Sequence, residues 1–457
     1  MRQESSQSAS TAPAGNTFPP GMHHAFSFSA FNALSFQIVL GSPMILYARS
    51  LEASATVLGI IAGMMPLLVI FQIPAANHIN RVGYRRFVLA GWSTRVLFIF
   101  GMALVPLTGA FLDATNRLGL LLALLFCFNL SRGISSCAWL PWITLLVPGE
   151  MRGRYLARDA AVQNLASFVA FLVAAATLTS ATKAWQFAVL FAFSACMGAV
   201  SLFFLKRIPD VPIPETVRTS REPVPWGAMI RYEPFKKLLR TATAWSVAYG
   251  GMNAFTVAFL KARSGLSEGQ ILLISSAAFL GGVSSLWLLG SRFDRVGSKP
   301  VLGAACVGWL LVLAGWGAWA GGAIATSLPF VIGLQFVMGL LAAAVNMANN
   351  KLAMSIVPAM GRNHFFAIFS VVSNVSLGLA PIAWGLLIDA VGQYAPRFLG
   401  LEWNRFTVFF AGAALAFTVV LLFVQRLDEP KAASMQALLR EMLIQSPQRF
   451  WLRFWPR

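Results

Sequence analysis

The loop at residues 290–299 reads Gly-Ser-Arg-Phe-Asp-Arg-Val-Gly-Ser-Lys and separates two long apolar segments. Residues 76–85 read Ala-Asn-His-Ile-Asn-Arg-Val-Gly-Tyr-Arg and separate an earlier pair of apolar segments. Both loops contain Arg-Val-Gly at the same offset. A second match follows each loop, because Val-Pro precedes a basic cluster at 147–154 and again at 357–364. Landmarks repeated in this way indicate that the chain consists of two duplicated halves.

The composition excludes an ordinary water-soluble protein. Of the 457 residues, 57% are hydrophobic and only 11% are charged, whereas a soluble domain has about 25% charged residues. The apolar residues form long runs rather than the narrow stripe of an amphipathic helix. Because a helix needs about 20 apolar residues to cross ~30 Å of hydrocarbon, these runs predict transmembrane helices.

Twelve apolar runs are long enough to cross a membrane. They lie near 25–47, 55–76, 87–110, 118–147, 156–180, 184–205, 240–260, 269–291, 300–319, 325–356, 365–388 and 405–425. The duplication assigns six runs to each half, so the predicted fold is an all-α membrane protein with twelve transmembrane helices in two pseudo-symmetric six-helix bundles. The predicted parts are a disordered tail (1–23), a first bundle (24–205), a cytoplasmic linker (206–238), a second bundle (239–426) and a cytoplasmic amphipathic tail (427–457).

The net charge of +19 is distributed unevenly over the loops. If both termini are cytoplasmic, 26 of the 35 Lys and Arg residues lie on the cytoplasmic side, seven lie on the other side and two lie within spans. Such a bias predicts orientation by the positive-inside rule. We therefore expect a multi-pass protein of the inner (plasma) membrane with both termini in the cytoplasm. The basic excess is a topology signal and gives no reason to expect a nucleic-acid partner.

The two loops and the helix count identify a resemblance to the major facilitator superfamily. Its signature loop is a Gly, three residues, Asp, Arg or Lys, any residue, Gly, Arg, and then Arg or Lys. The second loop matches this pattern except at Ser298, and the first departs from it at Ala76, Asn80 and Tyr84. The resemblance implies a secondary transporter that works by alternating access. It also implies that the loops gate the cytoplasmic side, through Arg81, Gly83, Arg85, Gly290, Asp294, Arg295, Gly297 and Lys299.

Part of that loop chemistry follows from the residues alone. Gly83 and Gly297 allow a tight turn between helices, which a β-carbon would strain. Asp294 is able to pair with basic neighbours or to cap a helix N-terminus, and Asn80 offers no such charge. The alternative interpretation is a tight basic turn that serves topology only.

The resemblance implies that helices 1, 4, 7 and 10 line a central cavity, and each of them carries polar residues. At spacings of three and four, such residues share one helical face. The candidate substrate-binding residues are Asn32, Asn129, Arg132, Trp139, Tyr249, Asn253 and Asn346. For any single Asn, hydrogen bonding between helices is an alternative to contact with a ligand.

Two arginines lie within the spans of the first half. Arg132 is near the middle of its span, where an arginine costs about 2.5–3.5 kcal/mol on insertion scales. Its partner is predicted to be either a polar solute, with an anion as one candidate, or backbone carbonyls and amides such as Asn129 or Asn346. Arg95 is nearer the cytoplasmic end of its span and is expected to extend its charge out of the membrane.

The acidic residues all lie in loops, tails or helix ends, so no obvious proton carrier is present. Asp159 is the one plausible coupling acid. The sequence therefore predicts secondary active or facilitative transport of a small polar solute. The alternatives are a proton-coupled efflux antiporter and a membrane scaffold or assembly factor of the same fold that does not transport.

Other functional classes receive little support from the sequence. It contains no His-rich metal set, no phosphate-binding loop and no convincing nucleophile arrangement, so no enzyme activity, cofactor or metal is predicted. The expected partners are a small-molecule substrate and the lipid bilayer, with the protein as a monomer. The tail at 427–457 is either an interfacial helix on anionic lipid or a solvated segment.

Overall fold

The computed structural model describes residues 18–148, 151–178, 182–211, 226–263, 265–289, 297–325, 327–356, 362–398 and 400–427. Within these ranges the chain forms 17 α-helices and one short antiparallel hairpin. The helices are α1 Met22–Leu40, α2 Ser42–Ser50, α3 Ala55–Leu68, α4 Gln72–Val82, α5 Tyr84–Leu104, α6 Ala114–Ser136, α7 Trp139–Leu146, α8 Arg152–Thr177, α9 Ala184–Leu205, α10 Trp226–Arg231, α11 Glu233–Tyr249, α12 Met252–Arg263, α13 Glu268–Leu289, α14 Ser298–Ala320, α15 Leu328–Ile356, α16 Arg362–Val391 and α17 Arg405–Gln425. The hairpin pairs β1 Arg397–Phe398 with β2 Leu401–Glu402.

Ten helical segments, counted over the described residues, are long and apolar enough to cross a membrane. They coincide with the first six and the last four predicted spans. At the predicted span 240–260 the structure has α11 and α12, which contain 17 and 12 residues and are separated by Gly250 and Gly251. At 269–291 it has the single helix α13. The all-α membrane class is confirmed. The number of spans is not, because the described residues contain ten such segments and the prediction was twelve.

Span 55–76 is divided by the 3₁₀ turn Val69–Phe71, and three other predicted spans are divided at glycine or proline. Pro43 follows the bend between α1 and α2, and Pro141 follows the bend between α6 and α7. Proline has no N–H and its ring clashes with the carbonyl four residues earlier, so a helix bends before it. Between α11 and α12, Gly251 has φ +82°, a conformation that a β-carbon would strain.

Helix packing repeats from the first half to the second. In the first half α1 packs on α8 and α9, and α5 packs on α6 and α9. In the second half α11 packs on α16 and α17, and α14 packs on α15 and α17. The duplication seen in the loop sequences therefore extends to the choice of packing neighbours.

Stacked aromatic rings fill the core of the second half. Trp309 is fully buried and stacks on Phe417, with ring centroids 5.1 Å apart. Trp316, two turns later on α14, stacks on Phe410 at 5.8 Å. Such ring pairs contribute about 0.5–1.5 kcal/mol beyond the area that they bury, so they stabilise the core of this half.

The predicted boundaries of the tails need one correction. Phe18 packs on Phe26 at 5.5 Å and on Tyr155 at 6.3 Å, and α1 begins at Met22. Residues 18–23 therefore belong to the first half rather than to the predicted disordered tail, because these rings bury one another and the Arg158 guanidinium lies over two of them. The rest of that tail, linker residues 212–225 and tail residues 428–457 lie outside the described residues.

Candidate functional site

Asn32 and Arg95 form a polar contact inside the first half. Arg95 is only 2% exposed, and its Nη2 donates a hydrogen bond to Oδ1 of Asn32. The guanidinium also lies over the rings of Trp92, at 4.6 Å, and Phe128, at 5.5 Å. The expectation that Arg95 extends out of the membrane is wrong, because a hydrogen bond and two cation–π contacts hold it inside.

Asn129 and Arg132 lie one turn apart on α6. Asn129 is 1% exposed and donates from Nδ2 to the Leu125 carbonyl of its own helix at 2.9 Å, while its Oδ1 has no partner. Arg132 is half-buried, and its guanidinium makes no hydrogen bond or ion pair with any residue that the structure describes. Ile134, on the opposite face of α6, is 37% exposed. Arg132 therefore faces inward, and bracing by Asn129 or Asn346 does not occur in this structure.

Trp139 does not continue the polar face of α6 as predicted. That helix ends at Ser136 and Trp139 begins α7, because Pro141 interrupts the span. The Trp139 ring packs on Phe28 at 4.9 Å and on Trp142 at 6.1 Å. The residue is part of an aromatic cluster at the end of the bundle.

Asp159 lies on α8 and is 8% exposed. Its Oδ2 accepts a hydrogen bond from Nε2 of Gln163 at 2.7 Å. The buried side chain of Ser29 lies close enough to interact with the carboxyl group, but Oδ1 has no hydrogen-bond partner of good geometry. A buried carboxyl group with one free oxygen is a candidate proton site.

The polar face predicted on helix 7 is divided between two helices. Tyr249 is the last residue of α11, and Asn253 lies in α12 beyond the Gly250–Gly251 break. Tyr249 stacks on Trp245 at 5.3 Å and is half-buried, whereas Asn253 is exposed. The prediction of a single continuous stripe is wrong because two consecutive glycines interrupt the helix.

Asn346 lies in the second half of α15 and is exposed, as is Asn350 one turn later. An exposed amide within a membrane span is costly against lipid, where it finds no hydrogen-bond partner. The same reasoning applies to Asn253. These positions are therefore expected to border a water-filled space.

The four cysteines are free thiols, at Cys127, Cys137, Cys196 and Cys306. Over the described ranges, no three His, Cys, Asp or Glu side chains converge as a metal site requires. The site that emerges is therefore built from arginines, amides and aromatic rings.

The predicted gate loops are described in part. Gly83 has φ +86° and Gly297 has φ +89°, so both glycines make the tight turns that their positions indicated. Arg85 donates to the backbone carbonyl of Lys206, and Lys299 donates to that of Leu427 at 2.8 Å, so each ties its turn to the end of another helix. Arg81 is exposed. Gly290, Asp294 and Arg295 lie outside the described residues.

The halves meet along α3 and α16. A β-carbon on Gly63 would lie 2.2 Å from the Gly378 carbonyl oxygen, and one on Gly59 would lie 2.2 Å from that of Pro381. The backbones approach so closely only because these positions lack side chains. The crossing therefore depends on glycine at both positions.

Asp389, near the end of α16, binds the N-terminus of α3. Its carboxylate accepts hydrogen bonds from the backbone N–H of Ala55 at 3.0 Å and of Thr56 at 2.7 Å, and from the Thr56 hydroxyl at 2.6 Å. A carboxylate at a helix N-terminus satisfies free N–H groups and matches the helix dipole. This cap belongs to the other half of the molecule, so it joins the two halves.

A second contact between the halves lies on the same side, where α8 ends and α13 begins. The Thr182 hydroxyl donates to Glu268 at 3.0 Å, and Lys261 forms an ion pair with the same carboxylate. A β-carbon on Gly269 would lie 2.3 Å from the Leu178 carbonyl oxygen. The helix ends are therefore packed tightly here.

The two sides of the molecule differ. We call the side with the turns at Gly83 and Gly297 the basic side, and the side with Asp389 and Glu268 the opposite side. On the opposite side α2 packs on α12, which adds a third connection between the halves. Towards the basic side α3 and α16 stay in contact as far as the 3₁₀ turn at Val69–Phe71, after which α4 packs on α5 and α6 of its own half. Among the described residues, the hydrogen bonds between the halves, at Asp389 and Glu268, lie on the opposite side.

Sequence reasoning missed the roles of Asp389 and Glu268. Both acids were visible at helix ends, but an acid at a helix end is ordinarily solvated or caps its own helix. One signal was available for the first contact: Ser54, Ala55 and Thr56 begin α3 without an acid in its first turn. Nothing local indicated that the cap comes from a residue 333 positions away.

Comparison with known proteins agrees with this architecture. The model of the Major Facilitator Superfamily matches residues 25–290 and 252–455. A search of curated protein sequences finds no significant match.

Solved structures of transporters are similar in fold. The nucleoside transporter NupG has a TM-score of 0.62 at 13% identity, covering 88% of this chain and 97% of its own. The xylose transporter XylE from E. coli, in an inward open conformation, has 0.65 at 14%, covering 91% and 99%. A POT family transporter in complex with 5-aminolevulinic acid has 0.66 at 14%, covering 90% and 97%. At these identities the likeness concerns the fold alone.

Proposed function

This chain belongs to the major facilitator superfamily, and on that premise we propose that it is a secondary active or facilitative transporter that moves a small polar solute by alternating access. The full architecture in this proposal is the predicted one: twelve crossings in two six-helix bundles at 24–205 and 239–426. Asn32, Asn129, Arg132, Trp139, Tyr249, Asn253 and Asn346 are the candidate substrate contacts.

The observation that supports alternating access is the difference between the two sides. Asp389 and Glu268 connect the halves on the opposite side, while α4 turns back to its own half near the basic side. A carrier that exposes a central site to one side at a time needs such a closed end. With the basic side assigned to the cytoplasm by the positive-inside rule, this closed end would face outward, and we propose an inward-facing state.

Reporter fusions test the orientation. Fusions after Arg49, Lys183 and Arg397 are expected to report the outside, and fusions after Arg86, Arg221 and Lys431 the cytoplasm. The inverse pattern at most of these sites would contradict both the topology and the inward-facing assignment.

Counterflow into proteoliposomes tests transport directly. Vesicles containing the purified protein and preloaded with a pool of small polar solutes are expected to accumulate a labelled member of that pool, and empty vesicles are not. The matched control is Gly63→Leu, which places a side chain where the Gly378 backbone now lies and is expected to block movement between the halves. A scaffold protein of the same fold would show no accumulation with either chain.

Proton coupling is a second candidate function, and the buried carboxyl group of Asp159 favours it. Its free Oδ1 is able to carry a proton between two exposures to solvent. Asp159→Asn is expected to abolish transport driven by a pH gradient while leaving counterflow intact. Equal loss of both activities would indicate a structural role for Asp159.

A further inference from the structure

Arg95 on α5 and Arg132 on α6 lie close to the point where these two helices cross. The crossing is fixed where the Ser131 hydroxyl donates to the Gly91 carbonyl at 3.0 Å. There a β-carbon on Gly91 would lie 2.1 Å from Cβ of Ser135. Arg95 lies one turn beyond Gly91, and Arg132 lies between the two serines. Both arginines therefore lie beside the same helix crossing.

Contacts on three sides orient the Arg95 side chain. Asn32 accepts from Nη2, and the rings of Trp92 and Phe128 flank the guanidinium. Nε of Arg95 is buried and has no partner. Phe128 lies on α6 one turn before Arg132. The ring that contacts the Arg95 guanidinium is therefore on the same face of α6 as Arg132.

Neither arginine has a carboxylate partner. Asp159, the buried acid on α8, is engaged with Gln163, and the described Asp and Glu residues form no ion pair with Arg95 or Arg132. Two like charges in an apolar bundle repel each other and lack the hydration that water gives. An anion bound beside them would remove both costs.

We propose that the transported solute carries an oxyanion group, a carboxylate, phosphate or sulfate, which binds between Arg132 and Arg95. This inference rests on the proposed transport function and specifies its substrate class. Arg132 is the contact residue, because its inward-facing guanidinium is half-buried and free of partners. Arg95 is the second cation, and Asn32 is a positioning residue that holds it in place. A planar guanidinium donates two parallel N–H groups to an oxyanion, which a neutral solute does not match.

Ligand-induced thermal shift of the purified protein tests the substrate class. The probes are inorganic phosphate, sulfate and succinate, with xylose and uridine as neutral controls. At least one oxyanion is expected to raise the Tm of the natural chain and of Arg117→Gln, which changes an arginine at the far end of the same helix. Arg132→Gln is expected to weaken the apparent affinity for that oxyanion by about 10- to 100-fold, the range for losing a charged hydrogen bond.

Asn32→Asp distinguishes a binding role of Arg95 from a purely structural one. The new carboxylate supplies Arg95 with a permanent partner, so the unliganded Tm is expected to hold or rise. The same carboxylate competes with the solute, so oxyanion affinity is expected to fall by about 10- to 100-fold. Arg95→Lys, which keeps the charge and loses the planar fork, tests the site a second way and is expected to reduce affinity with little change in Tm.

The outcomes separate this inference from the transport function. If the natural chain transports xylose or uridine and no oxyanion raises its Tm, the protein remains a transporter and the proposed oxyanion site is overturned. The oxyanion site is also overturned if oxyanion affinity is unchanged in the Arg132→Gln variant and, separately, in the Asn32→Asp or the Arg95→Lys variant. Failure of counterflow for every solute, with oxyanion binding intact, overturns the transport function instead.

Discussion

The two halves share a pattern of helix packing but differ in what they bury. The first half buries a cation, Arg95, against an amide and two rings, and places a second cation, Arg132, one helix away. The second half buries stacked tryptophans and phenylalanines, such as Trp309 on Phe417. Most of its described charged residues, such as Lys261, lie towards helix ends.

This difference shows that a duplicated scaffold conserves geometry without conserving chemistry. Packing neighbours depend on where small and large residues fall along each helix, and both halves have the same choice of neighbours. Polar groups inside the bundle are costly and persist where they serve a purpose. We infer that the first half supplies electrostatic recognition and the second a rigid wall.

The largest expected effect is at Arg132. Arg132→Ala is expected to abolish saturable transport, and Arg132→Lys to keep the fold but lower substrate affinity, because lysine lacks the planar fork. Transport and thermal stability should be measured on the same purified variants. A large loss of stability in Arg132→Ala, with the remaining folded protein binding substrate normally, would assign Arg132 to the scaffold instead.

A large effect on stability is expected in the aromatic core. Trp309→Ala removes a fully buried ring and is expected to cost about 3–5 kcal/mol, as other buried tryptophans do. Trp185→Ala is the matched control, since that ring is 55% exposed. Thermal unfolding in detergent measures both. Equal losses in the two variants would show that the second half is not the rigid one.

A moderate effect is expected at the contact between the halves. Asp389→Asn weakens the cap on α3 by about 1 kcal/mol, roughly a fivefold shift towards opening of the opposite side. Leu58 is 1% exposed and lines a cavity of about 100 Å³ beside Asp389. Labelling of Leu58→Cys from that side, with the four native cysteines replaced, is expected to speed up by the same factor.

Asp113→Asn is the matched control for that measurement. Asp113 caps α6 through the Asn116 N–H at 2.8 Å, and both residues lie in the same half. The control is therefore expected to leave labelling of Leu58→Cys unchanged. Equal acceleration by both substitutions would mean that Asp389 does not hold the halves together.

The smallest effect is expected at Tyr249. Tyr249→Phe keeps the stack on Trp245 and is expected to leave Tm unchanged, with substrate affinity altered by at most about fivefold. Tyr249→Ala loses the stack and is expected to lower the free energy of unfolding by at least ~1 kcal/mol. A loss of transport in Tyr249→Phe would place a decisive polar contact in the second half and contradict the division of roles.

Much of the fold was predictable because membrane insertion is a local property. Each apolar run reports its own tendency to enter lipid, so ten of the predicted spans reappear in the structure. Gly83 and Gly297 were predictable for a similar reason, since a positive φ is a requirement of one residue. Bends were harder, because Pro141 and Gly250–Gly251 interrupt helices without ending the apolar run.

The sequence identified candidate residues of the site but not the contacts between them. Arg132, Asn32 and Asn129 stood out as polar residues in apolar spans, but their partners did not. Which side chain contacts Arg95 depends on how α1 and α5 are rotated and at what depth they cross. The sequence of one helix determines neither the rotation nor the depth. The buried position of Arg95 was missed because snorkelling is the usual outcome for an arginine near a span end.

The sequence by itself determined the membrane class and the duplication, and its loop charges predict an orientation, because these follow from residue composition taken segment by segment. The tertiary structure decided which distant residues meet. Asn32 joins Arg95 across 63 positions, and Thr56 joins Asp389 across 333. The second contact lies at one end of the α3–α16 crossing, where glycines such as Gly63 and Gly378 let the helix backbones touch. Close packing of whole helices fixes rotation and depth, which no local pattern of residues contains.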